Sequence, residues 1–183
     1  MKNLIEFKEE ILKDLLSKRT LYLEGYIDNE KAKAIGIAIA WLNAKDSKKE
    51  IILYIDSGGG KVSQGLSIYD MVVNSEAPVT GIVRREARSM ASVILQGCKK
   101  RIAYRHATIL IHNLTRNDVP LDDLENDGFR KILKEMQGLQ QKINRIYSKR
   151  TGKTMHQVRV ECKKDHPMDA VEALKFGLID KIT

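Results

Sequence analysis

Three side chains in this 183-residue sequence are of the types that carry out nucleophilic acyl chemistry: Ser89, His112 and Asp165. Ser89 stands at the head of "SMASVILQG", a short helical pattern that ends at Gly97. A serine there lies near the partial positive charge of a helix N-terminus. The N–H of Met90, next in the chain, is one of the helix's unpaired donors. A hydroxyl beside a free N–H is the strand–turn–helix arrangement of a serine nucleophile. His112 ends the apolar run "TILIH", which suits a general base held on a rigid strand. Asp165 lies in a break between two helical patterns, where a carboxylate could orient an imidazole. Taken singly, each has a plainer reading. Ser89 also reads as an N-cap, His112 as a hydrogen-bonded strand end, and Asp165 as a loop aspartate.

A fourth feature is "DSGGG", residues 56–60, directly after "EIILYI". It contains neither GxxxxGK[ST] nor GxGxxG, so nucleotide cradling is disfavoured. Two readings stay open: a tight strand-to-helix turn that uses glycine for positive φ, or backbone N–H groups aimed at an oxyanion or a substrate backbone.

The surrounding pattern must hold these residues in place. "RTLYLEG" reads as a strand, and Asp28 as the cap of a helix through "NEKAKAIGIAIAWLNAK", with Ile35, Ile37, Ile39, Trp41 and Leu42 on a broad apolar face. "EIILYID" is a nearly continuous apolar run, as in a parallel strand covered on both faces. "KVSQGLSIYDMVVN" reads as a helix, "PVTGIV" as the next strand, and "RIAY" and "TILIH" as two more. The order strand, helix, strand, helix, strand gives an α/β domain, with sites outside the carboxyl ends of the strands. A long helical pattern over 121–151 breaks the alternation. It has too few apolar positions for a core helix, so it is expected to project, with Phe129, Ile132, Leu133 and Met136 packing on a neighbouring copy. Two shorter helices and a closing strand, "GLIDKIT", follow.

Length suggests one domain over 1–183, with residues 1–17 as an amphipathic helical segment rather than a secretory signal. No apolar run reaches the roughly 18–20 residues of a membrane span. Cys98 and Cys162 lack CxxC spacing and a nearby histidine pair, so neither a metal site nor a disulfide framework is expected, and a cytoplasmic setting is the default. The net charge of +8 raises the question of nucleic acid. Basic residues are scattered among acids, which reads as a solvated surface instead.

Together these stretches resemble the ClpP-type serine peptidases, the proteolytic subunits of Clp proteases. "SGGGKVSQGLSIYD" matches the family's S-P-G-G-x-V-x-x-G-x-x-I-Y-D, and "ARSMASVILQG" its nucleophile stretch. "ILIHN" is similar to M-I-H-Q, which carries the base, and "KKDHPMDAVEALKFGLID" to the tail with the third triad member. The resemblance covers about Leu15 to Ile182. It implies the ClpP/crotonase-type α/β fold, with repeated ββα-like units and a projecting handle helix over 121–151. It implies Ser89 as nucleophile, His112 as base and Asp165 as orienting carboxylate. Gly60 and Met90 would be oxyanion donors, and Gly59, Lys61 and Val62 would lie along an extended substrate. The implied activity is serine endopeptidase cleavage of peptides or unfolded proteins inside a homo-oligomeric ring chamber, up to a double heptamer. No cofactor is implied, and ATP would act only in a partner unfoldase.

The sequence departs from the family pattern in several places. Gly58 replaces the proline of S-P-G-G, and Arg88 replaces the small residue before the nucleophile, putting a cation where it could contact substrate or oxyanion. "NLTRNDVPLDDLEN" lacks the glycine-rich strand that pairs rings, Lys163–Lys164 replaces an acid–Arg pair, and the N-terminus lacks the axial-loop pattern that engages an unfoldase. Two other readings therefore stand beside the peptidase: a catalytically impaired or phage-type subunit serving assembly or processing, and a crotonase-like enzyme acting on acyl thioesters.

Overall fold

A computed structural model describes residues 4–115 and 128–183, with side chains from residue 10 onward. Among them are seven helices and seven strands, mostly parallel. Residues 121–127 of the expected long helix, and 1–3 of the N-terminal one, lie outside the described residues.

Helix α1 (Leu4–Ser17) leads into β1 (Thr20–Ile27). Helix α2 (Asn29–Lys45) starts where Asp28 accepts a hydrogen bond from the Lys31 N–H, the predicted cap. Strand β2 (Ile51–Gly60) is followed by α3 (Val62–Val73), β3 (Val79–Arg88) and α4 (Met90–Gly97). Short strands β4 (Lys100–Ala103) and β5 (Thr108–Leu110) come next. The chain then runs through α5 (Gly128–Thr151), α6 (Met155–Lys164), β6 (Met168–Asp169), α7 (Ala170–Phe176) and β7 (Lys181–Ile182).

The main sheet has the order β1-β2-β3-β4-β7, all parallel. On the edge away from β2, strand β3 serves two neighbours. Its first half pairs Thr80–Val83 with β4, and its second half pairs Glu86–Arg88 with β5. The expected strand "PVTGIV" ends at Val83, and four of the five residues beyond it, "RREAR", are charged. Backbone pairing, not apolar content, makes this second half a strand, and it carries the chain straight to Ser89.

One sheet face is sealed by helices. Leu21, Leu23, Leu53, Ile55 and Val83 are buried with Ile35, Ile39 and Leu42 of α2, Ile68 and Val72 of α3, and the apolar side chains of α4. Three expectations fail here. Strand β2 alternates buried with half-buried residues, so its second face is only partly covered; Tyr22 and Tyr54 stack there at 5.1 Å. Ile37 and Trp41 point outward, 61% and 44% exposed, because a stripe at helical spacing turns them away from the sheet. In α5, Ile132 is already buried within the chain, whereas Phe129 and Leu133 are exposed. Burial in α5 otherwise falls at its C-terminal end, on Ile143, Asn144 and Tyr147.

The closing segment is locked to α4. Arg101 is buried and donates to Gln96 Oε1 at 2.7 Å, to the Gly177 carbonyl at 2.8 Å and to both oxygens of Asp180. Burial pushes the Asp180 carboxyl up, but the Arg101 hydrogen bonds and charge outweigh it and hold it below the ordinary carboxylate value.

Candidate active site

Sheet register brings the three candidate residues to one place. Arg88 pairs with Leu110, and the Ser89 N–H donates to the Leu110 carbonyl at 3.0 Å. His112 is two residues further along that same strand direction. Strand β6 runs antiparallel to β5, with Thr108 opposite Asp169 and Ile109 opposite Met168. Continuing that register brings Asp165 opposite His112. Their side chains do meet, with His112 Nδ1 3.8 Å from Asp165 Oδ1. That distance is an ion-pair approach and exceeds hydrogen-bond range. The imidazole is 24% exposed and the carboxylate 72%.

Ser89 adopts φ 52° and ψ −124°, a conformation that strongly favours glycine. Its side chain makes no cap hydrogen bond among the described residues, so the N-cap reading of the hydroxyl does not hold. Strain of this kind, of order 1–3 kcal/mol, is typical of a nucleophile turned out of a sharp strand-to-helix bend. The turn is held from below. Ser92 Oγ contacts the Ser89 carbonyl at 2.6 Å and the Tyr147 hydroxyl at 2.6 Å. Both Ser92 and Tyr147 are buried, and burial pushes the Tyr147 phenol far above its ordinary value. Ser92 is thus a strut, with no access to a substrate.

The glycines divide the work among themselves. Gly59 has φ +100°, and a Cβ there would lie 2.7 Å from Ser89 Cβ, 2.9 Å from the Arg88 carbonyl and 3.1 Å from Met90 N. The close approach to "DSGGG" is thus made by the Ser89 turn. A Cβ at Gly60 would instead meet the backbone of Ile27, and one at Gly58 would meet nothing within 4 Å. The loop is not a turn after a strand, as the sequence suggested. Strand β2 continues through Gly60, with a register shift between Ile55 and Ser57. The Gly59 N–H donates to buried Ser57 Oγ at 3.1 Å, and the Lys61 N–H to the Ile27 carbonyl at 2.9 Å. Lys61 is exposed and Val62, the first residue of α3, is half-buried.

Gly65 matters too, and the residue-by-residue reading missed it. A Cβ at Gly65 would sit 2.6–2.7 Å from Met90 Cε and Cβ. The glycine lets α4 settle onto α3 and so sets the height of the Met90 N–H. The signal was present in "SQGLSIYD", but only packing reveals what the glycine is against. Tyr147 gave no such signal, being one aromatic in a long polar helix.

Arg88, expected beside the chemistry, is turned to its own strand. Its Nε lies 2.7 Å from Glu86 Oε2, an ion pair whose angle does not make a hydrogen bond. Arg85 links the same Glu86 to Asp56. Lys164, one of the two lysines in place of the family's acid–Arg pair, is paired with Glu161 at 2.7 Å. Both cysteines are buried, which pushes each thiol up to about 12.

The fold is mixed α/β, with the strained Ser89 at the carboxyl end of β3 and His112 and Asp165 approaching each other beyond β5 and β6. Residues 5–183 match the family model described as Clp protease, and the chain belongs to that family. Membership implies peptidase activity, in a family that forms oligomeric rings and acts on peptides. Among the described residues no helix is long and apolar enough to cross a membrane.

Proposed function

We propose that this chain is a serine-type endopeptidase. The observation that carries the proposal is the register of β3, β5 and β6. It brings Ser89, His112 and Asp165 to one sheet end from three separated stretches of sequence. Ser89 Oγ attacks the peptide carbonyl, and His112 takes the hydroxyl proton and returns it to the leaving amine. Asp165 orients the imidazole; moving from 3.8 Å into hydrogen-bond range completes the triad. The developing oxyanion is held by the Met90 N–H and by the Gly60 N–H, in the middle of a strap, Gly59 to Lys61, whose two outer N–H groups are already engaged within the chain. Gly59 keeps that strap against Ser89, and the substrate's extended backbone runs beside it towards Val62.

The chemistry needs no metal or organic cofactor. The chain works as a homo-oligomer whose exposed Phe129 and Leu133 on α5 are covered by a neighbouring copy. Its substrates are peptides and unfolded chains that reach the enclosed sites. Labelling the native protein with a fluorophosphonate and mapping the adduct tests the assignment. Modification at Ser89, abolished in Ser89→Ala, is expected; an adduct on another serine overturns it.

A further inference from the structure

A recess of about 770 Å³ opens immediately beyond His112, between the chain at Asn113 and the facing sides of α5 and α6. Its polar wall includes Gln140, Asn144, His156, Arg159 and Lys163, and no Asp or Glu lines it among the described residues. Arg159 and Lys163 make no ion pair with any described residue, unlike Lys164, which Glu161 neutralises.

Hydrogen bonding fixes which polar atoms face inward. The Leu114 N–H can only donate, and it donates to Gln140 Oε1 at 2.7 Å. Gln140 therefore presents its Nε2, which donates to Asn144 Oδ1 at 2.8 Å. Asn144 is 1% exposed, and with its oxygen taken the remaining group is the NH2. That NH2 finds no acceptor among the described residues. That NH2 borders the recess rather than being sealed away from it, so an acceptor filling the recess can pair with it. The relay begins two residues after His112, so the recess is anchored to the backbone that positions the candidate base.

Among the described residues the wall supplies one free amide donor, two cations without ion pairs and no carboxylate, which is complementary to a group that only accepts and carries negative charge. We infer that this recess is a subsite for a carboxylate of the bound peptide, with Asn144, Arg159 and Lys163 as its specificity-determining residues. The inference rests on the peptidase reading for the identity of the ligand as a peptide. The carboxylate has two possible sources, an acidic side chain near the scissile bond or the peptide's free C-terminus.

Binding to full-length Ser89→Ala protein tests the subsite without turnover. Fluorescein-labelled hexapeptides carry Glu, Gln or Lys at each position in turn, each with a free or an amidated C-terminus, and are titrated by fluorescence polarisation. One charge-assisted hydrogen bond to such a group is worth roughly tenfold in affinity. The best Glu or free-acid peptide is therefore expected to bind about that much more tightly than its Gln or amide counterpart. Loss on Glu→Gln identifies the side chain, and loss on amidation identifies the C-terminus. Arg159→Gln with Lys163→Gln should erase the preference while leaving the Gln and amide peptides unaffected. Arg159→Glu with Lys163→Glu should invert it towards Lys. Both residues are exposed, so folding is not at risk. Equal affinity of acid and neutral peptides for the parent Ser89→Ala protein, or a preference that survives both double variants, overturns the proposal. Absence of fluorophosphonate labelling in the wild type would instead count against the peptidase reading alone.

Discussion

Gly59→Ala and Gly58→Ala should have opposite effects, although the two residues are adjacent and identical. A methyl group at 59 would stand 2.7 Å from Ser89 Cβ and 2.9 Å from the Arg88 carbonyl. Carbon atoms normally rest roughly 3.5–4.0 Å apart, so the overlap is about an ångström. Neither neighbour is the flexible end of a side chain, and φ +100° is itself unfavourable for alanine. Backbone strain and overpacking together should destabilise the chain by about 2–5 kcal/mol. The structure can relieve the clash only by moving the strap away from the Ser89 turn, which separates the two proposed oxyanion donors. Removing one such donor typically lowers turnover about 10²–10³-fold. At Gly58 a methyl group meets nothing within 4 Å and φ is not positive. Alanine there should stabilise by about 0.4–1 kcal/mol through the unfolded chain, with activity kept. Thermal unfolding and hydrolysis of a fluorogenic peptide, run on both variants in parallel, provide the check. Wild-type turnover and stability in Gly59→Ala would show that the strap does not sit against Ser89, and the argument for both donors would fall with it.

Ser89→Gly and Ser89→Ala should both be inactive, but the glycine variant should be the more stable by about 1–2 kcal/mol, because φ 52° and ψ −124° suit glycine alone; equal melting temperatures would count against strain at Ser89. His112→Ala and Asp165→Asn should each cut hydrolysis steeply, and the double variant should be little worse than His112→Ala, since triad members act as a unit. Asparagine tolerates the left-handed conformation of Asp165 (φ 49°), so that variant should fold normally, and an unaffected rate would point to another carboxylate. Because Arg101 holds Asp180 below its ordinary value of 3.8, this pair's stabilisation is complete above that pH and is lost as pH falls through the lower folded value. Unfolding curves of Asp180→Asn should therefore show lower stability at neutral pH and a shallower loss in acid. Cys98 and Cys162, with thiols near 12, should resist alkylation in mildly alkaline buffer until the protein is denatured.

Much of this protein is legible in its sequence because the relevant physics is local. The Asp28 cap, the alternation of β1 and the halt of α4 at Gly97 depend on neighbours within a few residues. So does the placing of a serine at the start of a helix and a histidine just past the end of a strand. The four ordered stretches around Gly59, Ser89, His112 and Asp165 were enough to suggest a family that the match over 5–183 then showed. What the sequence could not determine depends on contacts between distant segments. A charged "RREAR" becomes strand because β2 and β5 pair with it, and the pairing with β5 hands Ser89 to the end of the strand that His112 follows. Asp165 says nothing alone; it gains a role through an antiparallel register set by Thr108 and Asp169. Gly59 and Gly65 look like ordinary turn and helix glycines until Ser89 and Met90 are packed against them. Ile37 and Trp41 look like core until the sheet occupies the other side of their helix. Composition and spacing constrain which residues can do the chemistry, whereas register and close packing decide which of them meet, because both depend on atoms far apart in the chain.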